Sequence, residues 1–95
     1  MRNMKKEKEF KLVAGVFTPS DAKEILISLI DEKIRFHNLK ILKHQERYGV
    51  DDTSHVKRLN QLIKTKSQIQ KLIETFEKKN KSLVINSSIL IDAAE

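Results

Sequence analysis

Two apolar seams, each advancing by alternating steps of three and four residues, constrain this chain more than anything else in it. The first runs Ile27, Ile30, Ile34, His37, Ile41, His44, Tyr48; the second runs His55, Leu59, Leu62, Lys66, Ile69, Ile73, Phe76. Such spacing keeps one stripe of a helix turned towards a partner helix, as in a coiled coil. Gly49 lies between the two seams, so the spacing predicts two long helices, residues 18–48 and 53–79, folded back as an antiparallel hairpin. Folding about Gly49-Val50-Asp51 pairs positions whose numbers add to about one hundred. Ile41 then falls near Leu59, Ile34 near Lys66, Ile30 near Ile69 and Ile27 near Ile73.

The helix ends are marked by residues that suit them. Thr18 is an N-cap, Pro19 takes the first helical position where its missing N–H costs nothing, and Asp21 complements the positive end of the helix dipole. Phe17 is placed to staple onto Ala22. Gly49 suits the left-handed position after the first helix, and Asp52 caps the second, which Asn80-Lys81 ends. Residues 10–17 and 82–91 read as flanking strands. Val13 and Phe17 share one face of the first, with Phe10, Leu12 and Val16 on the other; Leu83, Ile85, Ile89 and Ile91 share a face of the second. The expected fold is therefore mainly α, in the order β-α-α-β, with both strands at the end opposite Gly49. They are free to pair within one chain or between two.

At 95 residues this is one domain. The absence of cysteine excludes a disulfide framework, thiolate metal sites and a cysteine nucleophile. No stretch approaches the roughly 18 apolar residues that span a membrane, so no membrane is expected. Residues 1–9 read as a basic, flexible tail; Glu7 and Glu9 stand where a secretion signal avoids acids, and a cytoplasmic location is the expectation.

The first helix has a second apolar stripe on its other side: Ile25, Leu29, Phe36 and Leu39, interrupted only by Glu32. A helix packed solely against its hairpin neighbour presents a polar outer face. Either the strands fold over this stripe, against Leu29 and Phe36, or a second subunit covers it. A chain this small, without disulfides or metal, thickens its core most readily by self-association. The expectation is a homodimer in a four-helix arrangement, with Ile25, Leu29, Phe36 and Leu39 at its interface.

The polar seam residues invite chemistry. His44 and His55 near the tip, with Asp51 and Asp52, could in principle hold zinc, but no zinc-binding motif accompanies them and partial exposure at a hairpin tip explains them. No metal or cofactor is expected. His37 and Lys66, about one turn apart across the seam, read as devices that fix register or oligomeric state, with a pH-sensitive interface as the alternative role for His37. Asp31 with Arg35 and Glu74 with Lys78 have the spacing of helix salt pairs.

Charge is uneven. The formal net charge is +6, of which the second helix carries +5. Lys57, Lys64, Lys71 and Lys78 recur every seven residues on its outermost position, a basic ridge with about 10.5 Å between charges. Arg2, Lys5, Lys6 and Lys8 add to it as a surface for nucleic acid. No aromatic residue interleaves the ridge to stack bases, and solubility alone accounts for lysine there.

Catalytic patterns are missing, and a narrow hairpin offers little concavity for a substrate. The stretch Phe17-Thr18-Pro19-Ser20-Asp21-Ala22, followed by Lys33-Ile34-Arg35-Phe36-His37, resembles small bacterial proteins, a likeness that implies no activity. The Trp-x-Gly turn of the small secreted helical hairpins is absent, the tip reading Tyr48-Gly49-Val50. The sequence thus points to a non-enzymatic, self-associating adaptor or structural module with a protein partner; the alternative is a nucleic-acid-associated protein using the lysine ridge.

Overall fold

The computed structural model describes residues 8–94. Its elements are β1 (Lys8–Phe17), α1 (Pro19–Tyr48), α2 (Thr53–Lys78) and β2 (Leu83–Ile91). The order β-α-α-β is the one the seams and caps predict, and the two strands pair antiparallel within the chain. β1 begins two residues earlier than expected, so Lys8 and Glu9 belong to a strand rather than to a tail. The remainder of the expected tail, with Arg2, Lys5 and Lys6, lies outside the described residues.

Each helix end is closed as its residues dictate. The Thr18 side chain accepts from the Asp21 N–H at 3.1 Å, and Asp52 accepts from the N–H groups of Ser54 and His55. Gly49 follows α1 at φ 73°, a left-handed conformation that a side chain would strain. Asn80 takes the same role after α2 at φ 55°. There the Lys81 N–H donates to the Phe76 carbonyl and the Asn80 N–H to the Glu77 carbonyl, which satisfies two carbonyls left open by the last turn.

The hairpin register departs from a symmetrical fold about the tip. Lys66 meets Asp31 at 2.6 Å rather than lying beside Ile34 or His37, and His55 meets His37. Relative to the expected pairing, α2 is displaced by about one turn towards the strand end. The cause lies in the connection. Residues 49–52 run back along the last turns of α1 instead of arching outward, held by His44 Nδ1 donating to the Val50 carbonyl at 2.8 Å and by Gln45 donating to Asp51. The seams themselves are as read: on both helices every member except Tyr48 is buried or half-buried.

The core sits at the strand end. Ala22, Ile73, Leu83 and Ile85 form it, with Val13, Phe17, Leu26, Ile69 and Phe76 packed around them. The ribbon thus lies over Ala22, Leu26 and Ile73, and not over Leu29 and Phe36. Of the two covers available to the second stripe of α1, the strands are eliminated.

One strand position is reassigned. Lys11 pairs with Ser88 but Val13 with Ser87, so Leu12 is an extra residue, a β-bulge. Strict alternation would put Phe10 opposite Val13 and Phe17. The bulge shifts the phase, and Phe10 instead faces Ile89, on the side that carries Leu83 and Ile85. The apolar face of the ribbon therefore continues past its helical support. Phe10, Ile89 and Ile91 are more than two-fifths open, whereas Leu83 and Ile85 are buried.

Candidate interaction surfaces

On α1 the second stripe lies roughly opposite the seam. Leu29, Phe36 and Leu39 are each 42% exposed and Ile25 is half-buried. Glu32, the polar interruption, is held by Arg35 one turn on, and this pair replaces the Asp31–Arg35 pair expected from spacing. Arg35 holds the Glu32 carboxyl below its ordinary range, and Glu32 raises the guanidinium in turn. Asp31 belongs instead to Lys66, and no ion pair joins Glu74 to Lys78 among the described residues.

Phe36 is less purely outward than the stripe suggests. Its ring meets those of His37 and His55 edge-on, at centroid distances of 5.3 and 6.4 Å, and the ammonium groups of Lys33 and Lys40 lie 4.7 and 5.5 Å from its centroid. These cations are drawn to the negative face of the ring. Phe36 therefore links the outer stripe to the polar part of the seam.

That polar part is the feature sequence reasoning missed. His37 is 6% exposed and its Nδ1 lies 2.8 Å from Nδ1 of His55. A bond between two such nitrogens needs a proton on one and a lone pair on the other. His37 Nε2 is buried without a partner among the described residues, while His55 Nε2 points towards the Asp52 carboxylate at 3.9 Å. An orphaned buried N–H is rarer than an orphaned lone pair. The economical arrangement has His37 donating from Nδ1, His55 accepting at Nδ1, and the second His55 nitrogen directing its proton at Asp52. Lost hydration pushes the His37 pKa below that of an ordinary imidazole; the cations of Lys33 and Arg58 and the His55 ring push the same way. The Ser54 hydroxyl, donating to Asp52, holds that carboxyl low. The one available signal was position: both histidines lie on seams, but a register shifted by a turn was needed to join them.

His44 and His55, considered together from the sequence, have different partners, Val50 and His37. With Asp52 they border a shallow hollow at the tip that is otherwise lined by Lys40, Lys43, Arg47 and Tyr48. Among the described residues, no three His, Cys, Asp or Glu side chains converge to hold a metal ion.

On α2, Lys57, Lys64, Lys71 and Lys78 are all exposed, and none is ion-paired among the described residues. No helix among the described residues is long and apolar enough to cross a membrane.

Fold and surfaces together define a helical hairpin closed at its open end by a β-ribbon. Compared with known protein families, curated proteins and solved structures, the chain matches none of them.

Proposed function

We propose that the chain is a non-enzymatic, self-associating interaction module of the cytoplasm, working as an adaptor or structural piece through the outer stripe of α1. The observation that carries this reading is the stripe itself. Leu29, Phe36 and Leu39 stay two-fifths open, and the ribbon packs on Ala22, Leu26 and Ile73 instead of on them. An apolar strip left open on a small chain, here broken only by Glu32, marks a contact surface. Burying it between two hairpins gives a four-helix arrangement. The open edge of β2 offers a further protein partner a place to add a strand.

Light scattering tests the reading. The expected mass is twice the 11.1 kDa of one chain, falling to a single chain when Leu39 becomes Asp, with the helical circular dichroism retained. Leu39 suits this better than Phe36, whose ring also contacts the histidine pair. A wild-type protein that stays at the single mass up to high concentration contradicts the proposal.

The open line of lysines on α2, unpaired among the described residues, favours nucleic acid as the second reading. Binding of this kind weakens steeply with salt, because each phosphate contact releases counterions. The variant Lys64→Glu/Lys71→Glu should then abolish a low-salt complex with a DNA duplex. If no complex forms at low salt with either duplex or single strands, the ridge serves solubility.

A further inference from the structure

We propose that the surface covering the outer stripe of α1 is the same stripe of a second copy, lying antiparallel to it across a two-fold axis midway between Leu29 and Leu39. This rests on the self-association reading above and deepens it by fixing which faces meet and in which direction.

Charge sets the direction. The first half of α1, residues 19–33, carries two lysines against Asp21, Glu24, Asp31 and Glu32; the second half, 34–48, carries four basic residues against Glu46 alone. Internal ion pairs soften this polarity: with Asp31 taken by Lys66 and Glu32 by Arg35, the first half is left balanced and the second stays basic. Among the described residues, Asp21, Glu24, Lys23 and Lys33 at one end and Lys40, Lys43, Arg47 and Glu46 at the other join no ion pair. An antiparallel copy sets each basic half against a balanced one. A parallel copy sets the two basic halves against each other. Such pairs add little raw affinity in water, but they select orientation.

The same axis brings two leucines together. Leu29 falls level with the partner's Leu39, and Ile25 with the aliphatic stem of the partner's Lys43. Glu32 falls level with the partner's Phe36, the ring that already draws Lys33 and Lys40 around it. The contact from Ile25 to Leu39 is about 21 Å long. A stable interface takes about 600 Å² or more from each partner. At 42% exposure, Leu29, Phe36 and Leu39 supply roughly a third of that, and Ile25, Leu42 and the lysine stems flank them. The dimer therefore belongs at the small, weak end of specific interfaces, and its mass should rise with concentration rather than stay fixed.

The chain has no cysteine, so single thiols can be placed at will. Ile25→Cys and Lys43→Cys chains of distinguishable mass are mixed under mild oxidation and the linked species weighed. Leu29→Cys with Leu39→Cys, joined by a short thiol cross-linker, provides a second pair should half-buried Ile25 prove costly to change. The expected result is a dominant mixed dimer in both experiments. Dominant like-to-like links, each variant joined to its own kind, overturn the antiparallel arrangement. A dimeric mass with no link at either pair places the interface elsewhere and overturns the inference while sparing self-association. A single-chain mass throughout overturns both.

Discussion

Replacing Ile73 with Ala is expected to cost about 2–5 kcal/mol, the range for removing a large aliphatic side chain from a packed site. At roughly 0.05–0.15 kcal/mol per residue, a domain of this size has about 5–14 kcal/mol in total. The loss is therefore a large fraction of what holds the fold. Ile73 is 4% exposed and meets Ala22, Leu83 and Ile85, so it is where α2, the start of α1 and the ribbon come together. A two-stranded ribbon is marginal by itself in water. Without Ile73 it loses the platform beneath it. Leu72, one residue away and 54% exposed, is the control: Leu72→Ala should shift the urea midpoint only slightly. Equal midpoints for the two variants would mean that ribbon-on-helix packing is not what stabilises the chain.

Acid should loosen the hairpin through His37. In the folded chain its pKa lies below the ordinary 6.5, with lost hydration as the largest cause. Above about pH 7.5 His37 is neutral both folded and unfolded and contributes no pH dependence. As pH falls through 6.5, the unfolded chain takes up a proton that the folded chain refuses, so stability declines. The decline has a limiting slope of about 1.4 kcal/mol per pH unit and ends once the pH passes the depressed folded value. The geometry explains the refusal. An added proton on His37 must go to Nε2, which is buried with no acceptor among the described residues, because Nδ1 already spends its proton on His55. The cations of Lys33 and Arg58 oppose that charge as well. Urea midpoints measured from pH 8 to pH 5 should fall for the wild type and run flatter for His37→Leu. A midpoint that is level in the wild type, or that falls equally in the variant, would assign the acid sensitivity elsewhere.

Local signals carried most of the fold. Thr18-Pro19, Gly49, Asp52 and Asn80 each act within a few residues, and each closes a helix where its chemistry says it should. The seams are also local in kind, since a periodicity is a property of one segment. What periodicity leaves open is how two segments slide past each other, and here the tip decided it. The connection at Val50 and Asp51 bonds back to α1, which draws α2 along by a turn and exchanges the partners of Lys66 and His37. The face of Phe10 was lost in the same way. An inserted residue at Leu12 reverses alternation, and nothing in the composition of β1 announces it. Of the surfaces, the α1 stripe and the α2 lysines were legible because exposure follows directly from helical phase. The histidine pair was not, because it is a contact between elements.

The pairing of Lys8 with Ile91 sets the entrance and exit of the folded unit side by side at the far end of the ribbon, a strand spacing of about 5 Å apart. A unit that leaves where it came in can be spliced into a surface loop of another protein without prying that loop open. It also tolerates joining of its ends by a short linker, with new ends opened at the exposed Gly49-Val50. Such a graft would add to its host a body of about 50 × 34 × 20 Å.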